Sequence, residues 1–278
     1  MSRIDSSFSR LRTAHEGAFI PYVCAGDPNS QFTVEQILRL SRAGADIIEL
    51  GLPFSDPVAD GPVIQAAMGR ALAGGFMTEH LLDVIRLVRA EGVEIPLVVM
   101  TYFNPLLQYG VERFCESASK AGADGLLVVD LPPEESEELN GSARSWNVHV
   151  IRLVAPSTSN LRLKTILSQT SGFVYAVSAA GTTGERASLA ASAGLLLGRL
   201  RSQTDLPIAL GFGISNPTHV REALALGVSG VVMGSALISS YSNLLDTPSR
   251  ALDSIEQHAR RMKVATLPED RESQSAQL

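Results

Sequence analysis

A single α/β domain, a (β/α)8 or TIM barrel with an extra N-terminal helix, is the fold this sequence predicts. Three observations point to it. Short aliphatic runs alternate with amphipathic segments about eight times, the pattern of a parallel sheet wrapped by helices. Hydrophobic residues make up 45% of the chain but aromatics only 5%, which favours aliphatic parallel-sheet packing over a β-sandwich. Finally, 278 residues are enough for one barrel, a fold of about 250 residues.

The elements follow in order. Residues 1–15 read as an amphipathic helix that covers the barrel floor through Phe8 and Leu11. Strands are expected at roughly 18–24, 46–52, 96–102, 125–130, 149–154, 173–178, 207–212 and 230–233. Residues 31–43 put Val34, Ile37, Leu38 and Leu40 on one helical face, and residues 79–91 do the same with Leu81, Leu82, Ile85 and Val88. Asn29 or Ser30 is expected to cap the first of these, Thr78 the second, and Asn216 with Pro217 to start the helix before the last strand. AGAD recurs at 43–46 and 121–124, with ALGVSG at 225–230 a looser relative. Each glycine suits a helix C-cap just before the next strand. The domain is expected to span 1–265, with 266–278 a disordered tail that has little to bury. No interdomain linker is visible.

Composition narrows the function. Net charge is −6 without a Lys/Arg cluster, so neither nucleic acid nor an anionic membrane is an expected partner. The N-terminus lacks an apolar signal core and no apolar run approaches 18 residues, so a cytoplasmic location is expected. Cys24 and Cys115 read as small buried hydrophobes, and the five scattered histidines show no metal-ligand spacing.

In a barrel, chemistry belongs at the C-terminal ends of the strands. Two long loops stand out there, 53–61 and the Gly/Ala/Ser/Thr-rich 179–191, the latter suited to a lid. The run ELGLPFSDPVADGP (49–62) carries Glu49 inside an apolar strand and Asp56 and Asp60 just beyond it. Alternation puts Glu49 on the same side as Ile47, facing either the barrel interior or the helices. Burial of Glu49 and solvation of a loop carboxylate would separate an acid from a base, which points to proton transfer. For Asp56 and Asp60 the plain alternative is a turn former or helix cap. GFGIS (211–215) and MGSAL (233–237) follow strands seven and eight, where barrels bind phosphate through backbone N–H groups. Gly184 in the preceding lid adds to this cradle, Arg186 is the nearest cation, and simple turn glycine is the competing reading. Tyr22, Met100, Tyr102, Leu127, Tyr175 and Phe212 at strand ends are each core-like alone, yet together suggest an apolar pocket opposite the phosphate.

These residues closely resemble the tryptophan synthase alpha chain family. The likeness covers nearly the whole chain to about residue 263, through PYVCAGDP (21–28), ELGLPFSDPVADGPVIQ (49–65), MTYFNPLLQYG (100–110), DLPPEES (130–136), GTTGER (181–186), GFGIS and MGSA. The resemblance implies retro-aldol cleavage of indole-3-glycerol phosphate to indole and glyceraldehyde 3-phosphate. It implies that Glu49 protonates the ring carbon and, once deprotonated, takes the side-chain hydroxyl proton. Asp60 would pair with the indole N–H. Tyr175 would lie close by, Thr183 would meet the Asp60 loop on lid closure, and Gly184, Gly213, Gly234 and Ser235 would hold the phosphate. It further implies no cofactor in this chain, and a pyridoxal-phosphate-bearing beta chain as partner in an α2β2 heterotetramer. Asp56, Pro57, Asn104 and the 132–135 turn match the surface facing that partner. Two departures stand out. Ala179 and Thr182 stand where relatives often carry Arg and Val, and Tyr22 stands where relatives can carry Phe. A phosphosugar isomerase barrel, or a non-catalytic barrel that activates a pyridoxal-phosphate partner, are the alternatives.

Overall fold

The structure is a computed structural model that describes residues 1–177, 186–211 and 213–268, with the backbone alone for 186–192. Eight parallel strands close into a barrel in chain order. They are β1 (Ala18–Cys24), β2 (Ile48–Gly51), β3 (Leu97–Thr101), β4 (Gly125–Val128), β5 (His149–Val154), β6 (Val174–Val177), β7 (Ile208–Gly211) and β8 (Gly230–Met233). Each falls within the stretch that aliphatic patterning predicts. The helices are α1 (Arg3–Ala14), α2 (Ser30–Arg42), α3 (Pro62–Ala73), α4 (Thr78–Ala90), α5 (Phe103–Tyr109), α6 (Val111–Ala121), α7 (Glu137–Ser145), α8 (Asn160–Ser168), α9 (Arg186–Arg201), α10 (Pro217–Ala225), α11 (Ser235–Tyr241) and α12 (Pro248–Val264). Among the described residues, no helix is long and apolar enough to cross a membrane.

Side chains that alternate inward fill the barrel: Ala18, Ile20, Ile47, Val98, Leu127, Ile151, Phe173, Ala209 and Val232 form one apolar cluster. Helix α1 plugs its lower end with Ile4, Phe8 and Leu11, and Phe8 stacks at 5.7 Å from Phe173. Each such buried side chain contributes about 1.5–3 kcal/mol of hydrophobic stabilisation. The larger cluster lies between strands and helices and includes Leu38, Leu81 and Val88 from the faces read in the sequence.

The AGAD repeat has a second use beyond its glycines, whose φ values of +94° at Gly44 and +105° at Gly122 do meet the expected turns. Asp46 Oδ2 accepts the N–H of Phe19 on β1, and Asp124 Oδ2 accepts that of Leu97 on β3. Ser171 and Ser229 do the same for Val150 on β5 and Ile208 on β7. A polar residue ahead of each even strand therefore caps the odd strand before it, where a backbone donor would otherwise go unpaired. The two buried aspartates also carry the floor's ion pairs: Asp46 with Arg10 and Lys263, Asp124 with Arg3 and Arg89.

Helix starts follow the sequence except at one point. Asn29 and Asn216 cap α2 and α10 through their side chains. At α4, Thr78 is already helical, and the ring of His80 reaches back to accept the Met77 N–H at 3.0 Å. The packed chain also passes residue 265: Thr266 is buried, and its carbonyl accepts the Gly17 N–H at 3.0 Å. Residues 269–278 of the expected tail lie outside the described residues.

Candidate active site

Strand β2 carries Glu49 inward. Its Cα pairs with Tyr22 on β1 and Val98 on β3, and it is 2% exposed. Its Oε1 atom has no hydrogen-bond partner among the described residues. A buried carboxyl without donors resists ionisation. Burial, followed by repulsion from Asp60, raises its pKa from the usual 4.5 to about 8. A side chain facing the helices would see neither the interior nor Asp60, so the interior alternative is the one that holds.

Asp60 comes close enough to Glu49 to repel its charge, from the loop between β2 and α3. That loop is folded on itself: Val58 N–H bonds Asp56 O, Asp60 N–H bonds Pro57 O, and Gln65 Nε2 donates to Asp60 O at 2.8 Å. The Asp60 carboxylate accepts a 2.7 Å hydrogen bond from the Tyr102 hydroxyl, which itself accepts the Ala59 N–H. Phe54 packs on Tyr102 at 5.2 Å. Asp60 is drier than a solvated loop position: burial raises its pKa, and the Tyr102 hydroxyl opposes that rise. The two carboxylates thus differ both in their access to water and in their donors. Glu49 has none and is held neutral, while Asp60 has one that favours its anion.

Tyr102, expected at the pocket wall, has a further role that sequence reasoning misses: it is the donor that anchors Asp60. A tyrosine at a strand end next to a carboxylate-bearing loop was the available signal. Tyr22 and Tyr175 are buried, and Tyr175, its hydroxyl pressed against Gly211, has its pKa pushed up by burial and then by Glu49 and Asp60. Met100 pairs with Gly51 and is half-buried at the inner rim. Leu127 lies deeper, within the interior cluster below the carboxylates.

At the other side of the mouth, Gly213 sits at φ +80° after β7, and Gly234 precedes the first turn of α11, which Ser235 opens. The N–H groups of Ser235 and Ala236 have no partner within the helix and suit an incoming anion, whereas that of Leu237 already bonds Gly234 O at 3.0 Å. His219 on α10 braces this region: Nδ1 lies 2.8 Å from Gly213 O and 3.2 Å from Ser215 Oγ, and its N–H is capped by Asn216. Thr183, Gly184 and Phe212 lie outside the described residues, as does the Arg186 side chain. Because α9 starts at Arg186, residues 186–191 of the loop expected at 179–191 are helical, and 179–185 lie outside the described residues. Asp56 is exposed and bonded to Ser55; Asn104, Glu134 and Glu135 are exposed on the same barrel end.

The arrangement sets a buried acid of raised pKa and a Tyr102-anchored carboxylate at the C-terminal ends of the strands, with the glycine turns after β7 and β8 on the same barrel end. Such a site can protonate a carbon, stabilise positive charge on a ring and hold a phosphate.

Comparison with known proteins adds to this geometry. A sequence model of the family described as tryptophan synthase alpha chain matches residues 8–267. The tryptophan synthase alpha chain of Phenylobacterium zucineum is 43% identical over 268 residues, covering 95% of this chain and 96% of that protein. The crystal structure of tryptophan synthase subunit alpha from Legionella pneumophila superposes with a TM-score of 0.88 at 36% identity, covering 96% of this chain and 98% of that one. A chain from a structural study of mutual activation in the tryptophan synthase α2β2 complex of Pyrococcus furiosus matches with a TM-score of 0.82 at 39% identity, covering 89% and 98%.

Proposed function

This chain belongs to the tryptophan synthase alpha chain family, and from that premise we propose that Glu49 and Asp60 are the groups that perform its reaction. The chain is a carbon–carbon lyase that cleaves indole-3-glycerol phosphate to indole and glyceraldehyde 3-phosphate in tryptophan biosynthesis. Cleavage requires the ring carbon bearing the side chain to gain a proton, so that the ring can leave with the bonding electrons. Glu49, neutral up to about pH 8, supplies that proton. The Asp60 carboxylate accepts the ring N–H and stabilises the positive charge that develops there. Glu49, now a carboxylate, takes the proton of the hydroxyl on the adjoining carbon. The carbon–carbon bond breaks, that oxygen becomes the aldehyde oxygen, and Glu49 is again neutral, so protons balance over the cycle.

Gly213, Gly234 and Ser235, with Gly184 between β6 and α9 in the chain, hold the phosphate through main-chain donors. Tyr22, Met100, Tyr102, Leu127, Tyr175 and Phe212 enclose the ring and chain, and Thr183 meets the Asp60 loop when the site closes. Alpha chains of this family use no cofactor of their own, and pyridoxal phosphate belongs to the beta chain. The partner is that beta chain, in an α2β2 assembly. It docks on the C-terminal barrel face, where Val58 and Leu107 stand 84% and 56% exposed beside Asp56 and Asn104. The cytoplasm is the location that fits these reactions.

The observation that carries this reading is the buried, unpartnered Glu49 carboxyl facing a Tyr102-anchored Asp60. Indole release from indole-3-glycerol phosphate, with and without an added beta chain, tests it. Glu49→Gln and Asp60→Ala should each abolish release in a folded protein, and near-wild-type release by either would overturn the assignment. An isomerase of phosphosugars would release no indole, and a non-catalytic activator would leave the substrate intact even in complex.

A further inference from the structure

Tyr22 has a buried hydroxyl that the mechanism above leaves unused. The side chain is 2% exposed, and its oxygen has no hydrogen-bond partner among the described residues. Stranding a hydroxyl in this way is costly unless something else fills the cavity and bonds to it. The residue is also built in deliberately. Its hydroxyl lies against Gly51, where any side chain would collide with it. Tyr175 does the same across the barrel. Tyr22 pairs with Glu49 and seats its hydroxyl on Gly51, two residues on; Tyr175 pairs with Ala209 and seats its hydroxyl on Gly211, two residues on. Both phenols therefore lean toward the C-terminal mouth over a glycine of the next strand.

The placement of Tyr22 identifies which part of the substrate it meets. Its Cβ end lies by the phosphate cradle, 3.8 Å from where a side chain at Gly234 would begin. Its hydroxyl end lies by Gly51, two residues from Glu49. The ring thus spans the distance between the phosphate and the proton donor, which in the substrate is crossed by the hydroxylated three-carbon chain. We propose that the Tyr22 hydroxyl donates a hydrogen bond to the oxygen on the carbon adjoining the indole ring. This rests on the lyase reading above and gives Tyr22, there only part of the pocket wall, a specific hydrogen bond to the substrate. Burial, then Cys24, Asp60 and Glu49, push the phenol well above its ordinary pKa, so it remains a donor throughout the working pH range. The bond strengthens as that oxygen loses its proton to Glu49, and it fixes the chain so that the carbon–carbon bond stands up from the ring.

The test is a substrate-by-variant comparison in the Glu49→Gln background, where the substrate binds without turning over. Calorimetry would measure indole-3-glycerol phosphate and its analogue lacking only the hydroxyl next to the ring, with and without Tyr22→Phe. Tyr22→Phe should weaken the full substrate by about 3- to 10-fold, the effect of one neutral hydrogen bond, and leave the deoxy analogue within twofold. Equal weakening of both compounds, or no change in either, overturns the inference. Because the phenylalanine removes an unpartnered hydroxyl, the variant should unfold at no lower urea concentration than its parent; an earlier midpoint would show that the hydroxyl is structural and also overturn it. Failure of wild-type protein to release indole would instead overturn the lyase reading.

Discussion

Replacing Glu49 by glutamine should make the folded protein more stable, and by an amount that depends on pH. A carboxyl whose pKa rises from 4.5 in the unfolded chain to about 8 in the fold binds its proton more tightly when folded. Its contribution is fully present below pH 4.5 and is lost as pH climbs to 8. The window is about 3.5 pH units wide at about 1.4 kcal/mol for each, so the wild type forfeits about 3 kcal/mol by pH 7 and about 5 kcal/mol above pH 8. Glutamine has nearly the same shape and no charge, so the variant avoids that loss. At 2% exposure there is little solvent to screen the effect. Urea unfolding of both proteins at pH 5, 6, 7, 8 and 9 would measure it. The two should agree within about 1 kcal/mol at pH 5 and diverge steadily to pH 8, after which the gap levels off. Any fixed penalty of the amide cancels because only the change with pH is read. A gap that stays constant from pH 5 to pH 9 would refute the premise that this carboxyl is dry and unsupported.

Other expectations follow from the same geometry. Tyr102→Phe removes the donor that steadies the Asp60 anion, so kcat/KM should fall by about 10- to 100-fold, the size of a charge-assisted bond. In the same variant the Asp60 pKa should rise, moving the acidic limb of the kcat/KM profile to higher pH. Indole release by the wild type should decline as pH passes about 8, where Glu49 no longer carries its proton, while substrate binding measured by calorimetry changes less. Gly51→Ala should cost about 1–3 kcal/mol in urea unfolding because a methyl strikes the Tyr22 hydroxyl, and Tyr22→Phe should restore most of it. Asp124→Ala should cost about 3–5 kcal/mol, since it strands the Leu97 N–H and leaves the Arg89 guanidinium with backbone carbonyls alone and no counter-charge, with Asp124→Asn milder in the same assay.

Much of the architecture was legible because it rests on local, periodic signals. Eight aliphatic runs, two amphipathic faces and a few asparagine and glycine punctuation marks translate directly into strands, helices and turns. The Glu49 position was legible for the same reason: a charge in an apolar strand is out of pattern. What stayed hidden depends on side chains meeting across the fold. Nothing near Asp60 in the chain announces that Tyr102, 42 residues later, donates to it. Asp46 and Asp124 were visible only as members of a repeat whose glycines drew notice, because the N–H groups they accept lie 27 residues earlier. The His80 ring at the start of α4 displaced a threonine cap that propensity alone favours. Asp60 is the wetter carboxylate as expected, half-buried beside a Glu49 that is 2% exposed, but its loop folds back over it far enough to raise its pKa, and the tyrosine that opposes the rise is distant in the chain.

Cleavage depends above all on Glu49 holding a proton at neutral pH while it faces Asp60. Carbon-13 NMR of protein labelled at glutamate side-chain carboxyls, with Glu49→Gln to assign the signal, reads that proton directly. A midpoint near pH 8 that drops when Asp60 is replaced by asparagine is the predicted result. A midpoint near 4.5, or one indifferent to Asp60, would contradict it.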